Sequence, residues 1–144
     1  MAPAFQSDRI LIDTGIVIAL ADKSDAWHQR SLGFINAYNG KIIAPSTIIP
    51  EACYMLNTYL GLSAEMAFIE SVVRRELLIE IVTVEDLGRS LEIMRLYSTV
   101  NIGLVDASII AIAERLAVSK ILTTDRRHFS VIKGKHGPHF ELKP

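Results

Sequence analysis

Apolar residues recur along this chain in two rhythms. Runs of strand length, "RILID" from Arg9, "KIIAP" from Lys41, "LLIEIV" from Leu77 and "KILTTD" from Lys120, alternate with longer segments of helical period. "TGIVIALA" reads as a short helix. "SDAWHQRSLGFINAY" reads as a second, opened by Ser24 or Asp25 as cap, and "STIIPEACYMLNTYL" as a third that accommodates Pro50 in its first turn, where backbone amides lack intrahelical partners. "SAEMAFIESVVRR" follows with Ser63 as its cap. In "VEDLGRSLEIMRLY" the residues Leu87, Leu91, Met94 and Tyr97 fall on one face, whereas "GLVDASIIAIAERLAV" is apolar almost all round and reads as a buried helix. Strands that alternate with helices predict a three-layer α/β sandwich around a central parallel sheet, with "HFELK" as a last edge strand.

Composition narrows the class of protein. A length of 144 residues with 50% hydrophobic content predicts one domain over residues 1–144 with a proper core. The single cysteine, Cys53, has no partner for an internal disulfide and sits in an apolar stretch, which suits a reducing cytoplasm. Each long hydrophobic stretch is broken by Asp, Gly or Pro, and the N-terminus "MAPAFQSDR" lacks a basic region followed by an apolar run, so neither a transmembrane helix nor a signal peptide is expected.

Four carboxylates interrupt apolar sequence where an element changes. Asp13 ends the first strand and Asp125 ends "KILTTD", while Glu51 and Asp106 lie near the starts of helices. In an open parallel sheet, strand C-termini and the N-termini of the following helices share an edge, so all four acids are expected to converge. Each taken alone has an ordinary explanation as a cap, a helix-dipole partner or an Asx-turn. Asp106 resists it, because an unpaired charge among Leu104, Val105, Ile109 and Ile110 is expensive to bury. Convergence is costly too, since like charges about 4 Å apart repel by roughly 4 kcal/mol at the effective dielectric of a protein surface. A divalent cation removes that cost. An all-oxygen donor set favours Mg²⁺ or Mn²⁺, and such ions serve phosphodiester hydrolysis.

The segment after Asp125 turns basic at once: Arg126, Arg127 and His128, then Lys133, Lys135 and His136. Overall charge is −1, but it becomes +3 once the four acids are set aside, so these side chains can contact the phosphates of an RNA without reading its sequence. Arg126, Arg127, Lys133 and Lys135 are the expected RNA contacts. Trp27 is expected as a packing indole, with base stacking or docking of a partner protein the alternative, and the stripe Tyr54, Met55, Tyr59, Met66 and Phe68 as core, dimer surface or a seat for a partner's helix.

In order and spacing, "LIDTGIVIAL", "IIPEACYML", "GLVDASIIAIAERL" and "ILTTDRRHF" resemble the motifs of PIN-domain proteins, above all the VapC-type toxins of bacterial toxin–antitoxin pairs, over nearly the whole chain. The resemblance implies a Mg²⁺- or Mn²⁺-dependent endoribonuclease that cuts structured RNA such as transfer or ribosomal RNA. It also implies a homodimer and a cognate antitoxin whose C-terminal segment blocks the site. Carried over residue by residue, the family's metal-binding and catalytic acids fall on Asp13, Glu51, Asp106 and Asp125, with Thr14 and Thr124 as polar neighbours that orient the acids or metal-bound water. Two departures stand out. Met1 to Ser7 extend beyond the first strand, and His128 stands where relatives often carry another acid. The alternatives are a non-catalytic PIN-like binding module and a Rossmann-type aspartyl-phosphate phosphatase; the latter generally carries a second Asp two residues after the first, where this chain has Gly15.

Overall fold

The computed structural model describes residues 8–135 and 139–144; His136, which the sequence assigns to the basic segment, lies outside them. Five strands, β1 (Arg9–Ile12), β2 (Lys41–Pro45), β3 (Leu78–Glu80), β4 (Lys120–Leu122) and β5 (Glu141–Lys143), form one sheet in the order β3-β2-β1-β4-β5. All four pairings are parallel, with Leu11 opposite Ile43 on one side and opposite Ile121 on the other. Seven α-helices flank it among the described residues: α1 (Thr14–Ala21), α2 (His28–Ala37), α3 (Ile48–Leu60), α4 (Leu62–Val73), α5 (Val84–Leu96), α6 (Leu104–Leu116) and the single turn α7 (Arg126–Phe129). This is the expected three-layer α/β sandwich.

Burial explains the order of the layers. β1 lies at the centre of the sheet, and Ile10, Leu11 and Ile12 are wholly inaccessible, as a strand covered on both faces requires. In α6 the seven successive residues Ala107 to Ala113 are buried, so its all-round apolar sequence reflects packing against the sheet on one side and α5 on the other. No helix among the described residues is long and apolar enough to cross a membrane.

Several local readings shift. α2 starts at His28, not at Ser24 or Asp25, because Asp22 accepts from the Ser24 amide and hydroxyl and Asp25 from the Trp27 amide, which hold residues 22–27 in turns. α4 is preceded by Gly61 at φ +98°, a left-handed conformation only glycine adopts freely, so Ser63 lies inside the helix instead of capping it. The third strand shortens to Leu78–Glu80. In α5 the buried face is Asp86, Ser90 and Ile93, with Leu87 and Leu91 turned to solvent. Those polar residues can face inward because each is satisfied: Asp86 closes a capping box with Thr83 and receives the Arg115 guanidinium from α6 (Nη2 to Oδ2, 3.0 Å), while Ser90 donates to the Asp86 carbonyl. Arg115 also reaches Glu80, and Arg89 pairs with Glu114, so α5 and α6 are tied by two guanidinium–carboxylate links.

Candidate metal centre

The sheet order fixes where the site lies. From β1 the chain proceeds to β2 and then β3 on one side, and only afterwards crosses to β4 and β5 on the other. β1 and β4 therefore flank a topological switch point, and the segments leaving their C-termini diverge and open a crevice there. Asp13 is the first residue of one segment and Asp125 the third of the other.

Asp13 directly follows β1 and caps α1: its Oδ1 accepts from the Thr14 amide at 2.7 Å and its Oδ2 from the Thr123 hydroxyl at 2.8 Å. The Asp13 amide donates to the Leu122 carbonyl, sewing the end of β1 to the end of β4. Only 6% of Asp13 is accessible, and burial pushes its carboxyl above the usual carboxylate range, against those two hydrogen bonds and with Asp125 and Glu51 adding repulsion. Asp125 caps α7, accepting from the His128 amide at 3.0 Å on Oδ1 and meeting His128 Nδ1 at 2.7 Å on Oδ2. Asp106 sits in the first turn of α6, with its Oδ2 3.8 Å from the same His128 nitrogen. Burial, then the charges of Asp13 and Asp125, push the Asp106 carboxyl up to about 7. Glu51, in the first turn of α3, adds to the repulsion felt by both Asp13 and Asp106, which places it on the same edge.

The four acids thus lie close enough for their charges to interact, but the tightest grouping is a different one. One oxygen each of Asp106 and Asp125 and a ring nitrogen of His128 lie within 4.8 Å of one another. No lysine or arginine among the described residues forms an ion pair with Asp13, Glu51, Asp106 or Asp125; His128 is the sole basic partner there. Half-buried carboxylates facing one another, one of them close to neutral pH in its titration, with no guanidinium or ammonium between them, are a donor set that fits a hard divalent cation.

The polar neighbours differ from expectation in one respect. Thr124 makes no side-chain hydrogen bond to an acid among the described residues; its hydroxyl lies where a Cβ on Gly15 would come within 2.3 Å, so Gly15 lets the first turn of α1 close on the 123–125 loop. Thr123, fully buried, does the orienting: it donates to Asp13 and accepts from the Asp125 amide at 2.9 Å, linking the two strand-end acids through one hydroxyl. In "TTD" the sequence offers two adjacent hydroxyls, and only the ladder bond from the Thr123 amide to the Lys143 carbonyl shows which one stays in register with the sheet. Thr14 contributes its amide to Asp13, and its own hydroxyl is buried without a partner among the described residues. Removing the shared hydroxyl in Thr123→Val leaves Asp13 with one hydrogen bond and the Asp125 amide with none. Mn²⁺ affinity is expected to fall 10- to 100-fold, read by isothermal titration; unchanged affinity would show that the Thr123 hydroxyl does not orient these acids.

Of the basic residues, Arg126 and Arg127 open α7 beside Asp125 and are exposed. Lys133 is exposed and its amide donates to the Tyr97 hydroxyl. The Lys135 amide donates to Glu114, eight residues along α6 from Asp106 and so about 12 Å down the helix axis, which separates Lys135 from the acids. Trp27 is half-buried and outside the core cluster, and of the Tyr/Met stripe only Phe68 is core, whereas Tyr54 and Tyr59 are each 72% exposed.

A parallel sheet whose strand ends carry acids to one switch point defines a class, and comparison supplies the family. Residues 10–135 match the PIN domain model, and the chain belongs to the PIN domain family. It is 25% identical over 135 residues to Ribonuclease VapC26 of Mycobacterium tuberculosis, covering 94% of this chain and all of that one. Its fold is similar to that of Mycobacterium tuberculosis VapC20, a sarcin–ricin loop cleaving toxin (TM-score 0.82, 18% identity, 94% of this chain and 99% of that one). It is also similar to VapBC2 from Rickettsia felis bound to a DNA fragment from their promoter (TM-score 0.65, 17% identity, 94% of this chain and 97% of that one).

Proposed function

We propose that this chain is a divalent-metal-dependent endoribonuclease, the toxin of a toxin–antitoxin pair, that hydrolyses phosphodiester bonds in structured RNA. The observation that carries this reading is the meeting of Asp13, Asp106, Asp125 and Glu51 at the switch point, with His128 as their one basic partner. The similarity to a ribonuclease over its full length supports the same reading.

Asp13, Glu51, Asp106, Asp125 and His128 would hold the metal, either Mg²⁺ or Mn²⁺. A divalent ion there supplies Lewis-acid polarisation of the scissile phosphate and a lowered pKa for the attacking water. The protein's own part is rigidity and charge. Thr123 and the Thr14 amide fix both oxygens of Asp13, and the His128 amide fixes Asp125, so the donors are set before substrate arrives. Arg126 and Arg127 hold the RNA backbone beside them.

Two exposed apolar surfaces suit the partners this reading requires. One runs along α3 and α4 through Tyr54, Tyr59, Leu62, Met66 and Val73; the other follows α5 through Val84, Leu87, Leu91 and Leu96. A second copy of the chain and an antitoxin segment would cover them.

The test is to induce the protein in a bacterial host and sequence the new RNA 5′ ends. Discrete cleavage sites and growth arrest, both lost in Asp125→Ala, are the expected result. Arrest that persists in Asp13→Ala and Asp125→Ala would instead indicate a module that binds without cutting.

A further inference from the structure

Trp27 is the chain's only tryptophan, and its surroundings are those of neither a core residue nor an isolated surface ring. It stands immediately before α2, with its amide held by Asp25, and it is half-buried. The Arg30 guanidinium carbon lies 4.3 Å from the centre of its ring and that of Arg126 lies 5.7 Å from it. Both arginines are exposed and neither pairs with an Asp or Glu side chain among the described residues, while Arg126 Nη2 donates to the Pro144 carbonyl. Two positive charges are therefore gathered within about 10 Å over one indole. Arg126 is next in sequence to Asp125, so this group adjoins the acids directly.

From this arrangement, and resting on the ribonuclease reading, we infer that Trp27, Arg30 and Arg126 form a landing platform for a single-stranded stretch of the substrate RNA. A base stacks on the indole–guanidinium layer, and the neighbouring phosphate bridges Arg30 and Arg126. Stacking on an aromatic ring combined with cationic contacts to the backbone is how proteins hold unpaired nucleotides irrespective of sequence. Single-stranded loops are also where bases are free to be splayed. The ring, and for Arg126 also the Pro144 carbonyl, holds the guanidiniums in orientation before RNA binds, which lowers the entropy lost on binding. The platform makes Trp27 a positioning residue that feeds the backbone toward Asp106 and Asp125.

Because the chain has one tryptophan, its emission reports on this spot alone. The experiment titrates a mixed-sequence single-stranded RNA decamer into the Asp106→Asn protein, with an abasic ribose-phosphate decamer and a Glu-rich decapeptide as parallel arms. Expected is quenching by the RNA, weak or no quenching by the abasic strand, and roughly tenfold weaker RNA binding, by anisotropy, for Trp27→Leu, Arg30→Ala and Arg126→Ala, with Trp27→Phe recovering most of the affinity. RNA that fails to bind, RNA that binds with emission unchanged, or Trp27→Leu affinity within twofold of the parent overturns the platform. Emission that responds to the acidic peptide but not to RNA overturns it in favour of a protein partner. Wild-type protein that cuts no RNA while Trp27 responds as expected removes the ribonuclease reading and leaves the platform in place; cleavage at normal rate by Trp27→Leu removes the platform alone.

Discussion

Asp106→Asn is expected to lower the rate of RNA cleavage by about 10³-fold or more, a loss of roughly 4 kcal/mol of transition-state stabilisation, while making the metal-free protein more stable at pH 8. The two effects have one cause. Burial and the neighbouring charges of Asp13 and Asp125 raise the Asp106 carboxyl to about 7, so without a metal this ionised group is a cost to the fold. The folded protein holds a proton that the unfolded chain releases near pH 4. Stability from this group is therefore full below about pH 4 and is lost as pH rises through 7. Asn cannot ionise and escapes that loss, so at pH 8 in EDTA the variant should melt higher than wild type by roughly 5 °C, and the gap should close toward pH 5. Adding Mn²⁺ should reverse the order, because only the wild type offers the full charge to bind it. Differential scanning fluorimetry across pH with and without Mn²⁺ reads all three. A variant that melts lower than wild type in EDTA at pH 8, or that cuts RNA at a near-normal rate, would contradict the assignment of Asp106 as a repelled, metal-requiring carboxylate.

The same physics decides what the sequence could reveal. Asp13, Glu51, Asp106 and Asp125 were legible because each stands where a strand stops or a helix starts, and a parallel sheet leaves those places on one edge. Their meeting follows from topology alone. His128 reads in the sequence as a departure from the usual acid and not as a candidate ligand. Its approach depends on α7, a single turn that brings residues three apart onto one side, and nothing in "TTDRRHF" announces a helix so short. The sequence does not separate Thr123 from Thr124, because the register that does so comes only from the pairing of β4 with β5.

Helix faces show the complementary difficulty. Leu87 and Leu91 share the apolar face that the sequence gives this helix, yet they are exposed, and Asp86 and Ser90 turn inward. A leucine row meant for another chain has the same period as one meant for the protein's own core, so pattern cannot separate them. What tips α5 over is a set of long-range bonds, Asp86 with Arg115 and Glu114 with Arg89, that link residues 25 or more positions apart. Trp27 missed the core for a similar reason: Asp22 and Asp25 delay the start of α2, which leaves the indole on a turn beside Arg126.

Phe129→Ala is expected to cost about 3 to 4 kcal/mol of stability and, beyond that, to weaken metal binding disproportionately. Phe129 is fully buried and is the one buried residue of α7; Arg126 and Arg127 are exposed and His128 is half-buried in the crevice. The ring therefore anchors the turn that carries Asp125 at its N-cap and His128 along its side. Truncating it leaves a cavity beneath α7, and a four-residue helix has too few internal hydrogen bonds to keep its shape without that anchor. Urea unfolding monitored by circular dichroism gives the stability loss, and Mn²⁺ titration at a temperature where the variant stays folded gives the second effect. Phe129→Leu, which keeps much of the volume, should retain most of both. If Phe129→Ala loses stability by the expected amount but binds Mn²⁺ as wild type does, then α7 is held by other contacts and the ring has only a packing role. Should affinity fall in step with the size of the side chain removed, the core and the metal centre are coupled through this one residue, and the donors contributed by α7 are only as fixed as the packing beneath them.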